Sequence, residues 1–212
     1  MIFATKKQQP KSPDQTNDSP IPLEKNLAFL ALKLIKKTYK IKKFASITIA
    51  KNIPIASGLG GASSDAAATL KGLNKLWNLK ISQKKLLALA AKLGMDVPFF
   101  ITGGTALATH FGEKITPLPP LNIKFKIFPT AASGSERALT SKTTTAYSSL
   151  DLSLCGKKIS QTKLLLSAIK KSDKKAILAT LHNDFETHPS YKNILKKGHH
   201  LSGSGPSTFT LD

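Results

Sequence analysis

The residues with the most chemistry in the smallest space are Pro54-Ile55-Ala56-Ser57-Gly58-Leu59-Gly60-Gly61-Ala62-Ser63-Ser64-Asp65. Three glycines within four positions let the backbone take positive φ and come close to a ligand. Their N–H groups can then converge on phosphate oxygens. A helix predicted to follow adds free N–H groups and the positive end of its dipole. Ser63 or Ser64 can cap that helix, or offer a hydroxyl to phosphate or to bound magnesium. Asp65 is placed to favour the dipole in the first turn. A plain glycine turn with a serine cap is the structural alternative. The paired serines and the strand–loop–helix context favour phosphate binding over it. No Gly-Lys-Ser/Thr follows, so this is not a Walker A loop. Gly58, Gly60 and Gly61 also miss the third spacing of the dinucleotide fingerprint.

A second candidate is Asp96, between a helix stop and Val97-Pro98. The residue before a proline is held extended, which predicts a defined exit from the helix for Asp96. Phosphoryl transfer needs positioning, charge neutralisation and often a carboxylate that takes the hydroxyl proton. A lone aspartate is more often a cap or turn residue, and spacing alone leaves both roles open. Phe99 and Phe100 are read as core. The turn Ser202-Gly203-Ser204-Gly205 can supply further backbone donors, or simply reverse the chain. His110, His182, His188, His199 and His200 lack metal-site spacing, so no metal ligands are assigned.

These candidates need elements to position them. Residues 1–24 hold four prolines and read as a disordered or loosely packed lead-in. Leu27, Leu30, Ala31, Leu34 and Ile35 form a helical stripe. Ala45–Ile49 alternates like a half-buried strand. A helix from about Ser64 to Trp77 follows the glycine loop, and another covers about Gln83 to Leu93 with Gly94 as its stop. Thr105–Thr109 reads as a strand. Pro117, Pro119 and Pro120 mark a boundary between a domain at 25–119 and one at 120–212. Ile123, Phe125 and Ile127 alternate with lysines as a further strand. Residues 130–160 read as loop, and helices are predicted at 161–171 and 174–182. Leu201–Asp212 reads as a glycine turn running into a short apolar segment. Mixed helices and strands give an α+β or α/β class.

Composition narrows the partners. The chain has 212 residues, 41% apolar, with 32 Lys+Arg against 12 Asp+Glu and a formal charge of +20. That balance attracts polyanions. Arg137 is the single arginine, and the lysines lie in dispersed pairs without interleaved aromatics. This favours a solvated surface over a nucleic-acid interface. No apolar run reaches the ~20 residues of a membrane span. The N-terminal stretch lacks a secretory signal pattern. One cysteine, Cys155, excludes an intrachain disulfide and suits the cytoplasm.

The pattern Pro-x-x-x-Gly-Leu-Gly-Gly-x-Ser-Ser resembles the signature of the GHMP kinases, which phosphorylate small alcohols with ATP. The wider run KNIPIASGLGGASSDAAATLKGLNKLW is similar to the branch acting on 4-diphosphocytidyl-2-C-methyl-D-erythritol. Leu93–Phe100, the glycine turn at 201–205 and His182-Asn183-Asp184-Phe185-Glu186 agree with that branch. The resemblance implies an α+β, two-domain GHMP-kinase fold, with a ribosomal S5 domain 2-like N-terminal part and a ferredoxin-like C-terminal part. It implies ATP with magnesium held by Pro54, Ile55, Ala56, Ser57, Gly58, Leu59, Gly60, Gly61, Ala62, Ser63 and Ser64. Asp96 falls where the family carries its catalytic aspartate, and the glycine turn falls near the phosphates. The small-molecule substrate implied is 4-diphosphocytidyl-methylerythritol, phosphorylated on its 2-hydroxyl in non-mevalonate isoprenoid synthesis. Asn183, Asp184 and Glu186 are read as supports of the fold.

The chain also departs from that pattern. Family members are longer at both ends, and the match begins near Asn26-Leu27. Their first strand carries a lysine that assists transfer, followed by a Tyr-His pair that holds cytidine. Lys6 and Lys7 lie in ATKKQQP, which does not match that strand, so the role is not transferred. Thr130 follows Pro129 where the family has glycine, and Ser135 is the nearest candidate for a substrate-binding hydroxyl. Both parts of the fold are therefore expected to be incomplete, with exposed strand edges, low stability and weak or absent turnover. Three alternatives stand beside this reading: an inactive truncated remnant that at most binds nucleotide, a basic nucleic-acid-binding protein, and a GHMP kinase for homoserine or mevalonate. The Asp-Val-Pro-Phe-Phe segment speaks against the last.

Overall fold

The structure is a computed structural model describing residues 2–4, 21–130, 146–148, 150–188, 191 and 195–211. The chain divides into two compact units, Met1–Asn52 with Gly60–Pro117, and Ile53–Leu59 with Leu118–Asp212.

The first unit is built on four helices. Helix α1 (Leu27–Thr38) starts at Asn26, whose side chain accepts from Ala28 N at 3.0 Å. Helix α2 spans Gly61–Leu76, α3 Gln83–Ala91 and α4 Val97–Thr102. Their apolar stripes meet in one core around Ala31, Ile35, Ala66, Leu70, Leu73 and Val97. Ile35, Leu70 and Leu73 are wholly buried, each contributing roughly 1.5–3 kcal/mol relative to exposure. Thr69 sits in the same core, where its hydroxyl is satisfied by the carbonyl of Asp65 at 2.8 Å.

Two antiparallel strand pairs flank the helices. Strands β1 (Ile2–Ala4) and β2 (Ser46–Thr48) pair with Phe3 opposite Ile47. Strands β3 (Ala106–Thr109) and β4 (Lys114–Pro117) form a hairpin. Residues Ile2–Ala4 thus differ from the loose lead-in expected for 1–24. Ile2 and Phe3 are β-prone and the segment pairs with β2, while residues 5–20 lie outside the described residues.

The second unit carries a three-stranded antiparallel sheet in the order β5-β7-β6, with β5 at Phe125–Phe128, β6 at His200–Leu201 and β7 at Thr208–Leu211. Phe125 pairs with Leu211 and Ile127 with Phe209. Helices α5 (Ile159–Lys171) and α6 (Lys174–Thr180) pack on each other. Asp173 caps α6, accepting from Ala176 N at 3.0 Å. Part of the expected loop at 130–160, residues 131–145, lies outside the described residues.

Candidate functional site

Helix α2 begins at Gly61, earlier than the predicted Ser64, so neither Ser63 nor Ser64 caps it. Gly60 is the N-cap, in the left-handed region at φ 69°. The first intrahelical bond runs from Ser64 N to Gly60 O at 2.9 Å. The N–H groups of Gly61, Ala62 and Ser63 therefore have no partner within the helix and stand at the positive end of its dipole. Ser64 Oγ donates to Gly61 O at 2.8 Å, which leaves its lone pairs uncommitted by that bond. Asp65 falls in the second turn instead of the first, and its carboxylate meets Lys51 Nζ at 2.5 Å. Lys51 had no assigned role in the sequence; its place just before the loop was the available signal.

The loop before the helix is strained in an organised way. Positive φ occurs at Ala56 (54°), Gly58 (77°) and Gly60 (69°). Gly61, expected to share this role, is helical. The glycines are needed for space as well as for φ. A Cβ on Gly58 would lie 2.3 Å from the carbonyl oxygen of Ser202. One on Gly60 would lie 2.7 Å from the Phe100 ring. Ala56 takes positive φ without being glycine, a conformation with a cost that neighbouring structure must hold.

Within the second unit, Ile53–Leu59 is bonded to the predicted glycine turn. Ser202 Oγ donates to Gly58 O at 3.0 Å, and Ser207 N donates to Ser57 O at 3.1 Å. Ser57 and Ser207 are almost fully buried. Ser207 Oγ also accepts from Thr130 N at 2.9 Å. The turn is thus a structural partner of the loop, and the interleaved serines carry that contact. Their alternation with glycine in Ser-Gly-Ser-Gly-Pro-Ser was the sequence signal for it.

Asp96 is exposed at the start of α4, and its side chain makes no capping bond. The extended exit predicted at Val97 is not formed. Val97 opens α4 and Pro98 occupies its first turn, where the missing N–H costs no helical bond. One turn further, Phe100 places its ring against Gly60, so α4, which Asp96 precedes as N-cap, supplies the wall of the loop's helical end. Ser135 and Arg137 lie outside the described residues.

His182 bonds Thr162 and the carbonyl of Thr180, and His199 bonds Thr208. Among the described residues no cluster of His, Cys, Asp or Glu could hold a metal ion. No helix among them is long and apolar enough to cross a membrane.

Comparison with known proteins adds the ancestry. The model of the GHMP kinase N-terminal domain matches residues 26–104. A 4-diphosphocytidyl-2-C-methyl-D-erythritol kinase from Shouchella clausii is 39% identical over 203 residues, covering 89% of this chain and 65% of that protein. The kinase of the same description from Clostridium botulinum (strain Alaska E43 / Type E3) is 40% identical over 200 residues, covering 88% and 68%. This chain therefore spans just under two thirds of the length of the first. A crystal structure of a 4-(cytidine 5'-diphospho)-2C-methyl-D-erythritol kinase superposes with TM-score 0.69 at 26% identity, over 99% of this chain and 75% of that one. The mixed α+β architecture is thus the GHMP-kinase fold, and the chain belongs to the 4-diphosphocytidyl-2-C-methyl-D-erythritol kinase family.

Proposed function

We propose that this chain handles the nucleotide in an ATP-dependent phosphorylation of the 2-hydroxyl of 4-diphosphocytidyl-2-C-methyl-D-erythritol, the substrate in its relatives' names. One observation carries the reading. A loop with positive φ at residues 56, 58 and 60 runs directly into a helix whose first three N–H groups lack helical partners. Successive inward amides and a helix N-terminus together form an anion site.

In this reading the loop Pro54–Ser64 holds the phosphates of ATP, with the N–H groups of Gly61, Ala62 and Ser63 as the donors at the helix end. These dipoles are fixed before the reaction, so they stabilise the transferring phosphoryl without reorganising. Lys51, held by its ion pair with Asp65, keeps an ammonium group beside the first turns of α2. Asp96 accepts the proton of the attacking hydroxyl; its freedom from capping leaves the carboxylate available. Magnesium, when bound with the nucleotide, neutralises phosphate charge. Ser64 Oγ fits it, because its own proton is directed at Gly61 O and its lone pairs can meet a cation. In this reading the chain acts on a small molecule in the cytoplasm, without a nucleic-acid or membrane partner.

The test is ATP binding by the purified chain beside Gly60→Val, which drives a side chain into the Phe100 ring at positive φ. Binding by the unaltered chain and at least tenfold weaker binding by the variant are expected, about 1.4 kcal/mol. Equal affinity would remove the phosphate-loop reading.

A further inference from the structure

We infer that Asn183 is a positioning residue for the phosphate loop, acting through the glycine turn; the inference rests on reading that loop as a nucleotide-phosphate site. Every bond in the argument lies within the second unit. Asn183 Oδ1 accepts from Phe185 N at 3.0 Å. Its Nδ2 donates to Leu201 O at 3.0 Å and to Gly203 O at 2.8 Å. Both amide hydrogens are thereby spent on the two carbonyls that bracket Ser202.

Two further side chains hold the same turn. Glu186 Oε1 accepts from Leu201 N at 2.8 Å. The Tyr191 hydroxyl donates to Ser204 O at 2.6 Å, and partial burial pushes this phenol up from its ordinary pKa. The turn so held is the one that ties the loop, through Ser202 Oγ to Gly58 O and Ser207 N to Ser57 O.

Those two carbonyls matter because a peptide unit is planar and trans. The Ser57 carbonyl and the Gly58 N–H belong to one plane and point in opposite directions. The Gly58 carbonyl and the Leu59 N–H do the same. Tying Ser57 O and Gly58 O to the turn therefore aims the N–H groups of Gly58 and Leu59 away from it, on the side left for a ligand. A loop with positive φ at Ala56, Gly58 and Gly60 keeps such a geometry only where its surroundings over-determine it. Asn183 supplies the part of that surrounding that spans the turn.

Asn183→Asp separates this role from capping. The carboxylate can still accept from Phe185 N, but it sets an oxygen against the carbonyls of Leu201 and Gly203. Binding of ATP and of adenosine is measured by calorimetry, and amide exchange by NMR at Ser207, whose buried N–H donates to Ser57 O. Asn183→Asp and Asn183→Ala are each expected to weaken ATP roughly tenfold, the scale of one hydrogen bond lost, with adenosine unchanged and exchange faster. Ser202→Ala, which removes only the hydroxyl on Gly58 O, is expected to move the same ratio less, and it decides the matter if Asn183→Asp does not fold. Wild-type ATP affinity in Asn183→Asp, or equal losses for ATP and adenosine, would overturn the inference. A normal ratio in Ser202→Ala would do so too. If the unaltered chain binds no ATP, the phosphate-loop reading falls. The positioning role is then judged by exchange at Ser207, whose N–H joins the turn to Ser57 O, and an unchanged rate in Asn183→Asp refutes it.

Discussion

In the first unit Ile35, Ala66, Leu70 and Leu73 are wholly enclosed by one another and by Ala31, Trp77 and Val97. In the second, the buried apolar side chains among the described residues are Ala168, Ile177 and Leu201. Leu164 of α5 is 61% exposed, and Phe125 and Ile127 of β5 are 51% and 52% exposed. The second unit relies more on side chains bonded to backbone: Asn183, Glu186, Tyr191, Ser202 and Ser207. Apolar burial is non-directional and gives stability. Hydrogen bonds add less net stability, but they set direction and are costly to leave half made. The contrast therefore assigns different work to the two regions. One supplies a rigid floor under α2 and α4; the other aims the backbone of Ser57 and Gly58.

The largest expected effect tests the floor. Leu73→Ala empties a wholly buried site and should destabilise the first unit by about 3 kcal/mol, read from a urea melt. Ile177→Ala in the second unit should cost less, about 2 kcal/mol, because fewer buried neighbours surround the cavity. Equal or reversed losses would break the comparison.

A smaller effect is expected on the sheet. Paired substitution of Phe125 and Ile127 by threonine should change unfolding free energy by no more than about 0.5 kcal/mol each, since half of each side chain already faces water. It should also raise solubility, because β5 is an edge strand with an apolar face. A large loss of stability would show that this face is covered.

The smallest effect concerns the β3–β4 turn. Glu113 is held below the ordinary glutamate value by a hydrogen bond from its own backbone N–H, then by the His110 side chain and Phe111 N–H. A carboxyl depressed in the folded state adds stability that is present above its ordinary value and lost as pH falls through the lower, folded one. The turn should loosen as pH falls below about 4.5, the ordinary glutamate value. Glu113→Gln should remove that step in amide shifts of residues 110–113. A step that persists in the variant would assign it elsewhere.

Much of the first unit was legible beforehand. The stripes of α1, α2 and α3 follow helical period because each buries one face, and period survives whatever the partner face is. Boundaries were harder. Gly60 displaced Ser63 and Ser64 as the cap because a left-handed residue could end the loop before a serine was needed. Val97 joined a helix despite the following proline, since Pro98 sits in the first turn where its missing N–H is harmless. In β5 the alternation of Phe125, Lys126 and Ile127 identified a strand, yet not which face is covered.

Local sequence determined that a glycine-rich loop runs into a helix, because φ freedom, serine content and apolar period are properties of neighbours along the chain. It also carried enough of the family's pattern to establish descent. Tertiary structure alone decided which glycines are sterically required, that Lys51 meets Asp65, and that the turn at 202–205 holds Ser57 and Gly58. The Ser202–Gly58 bond joins residues 144 positions apart. No window of neighbouring residues contains it, so only the folded chain could place the turn against the loop.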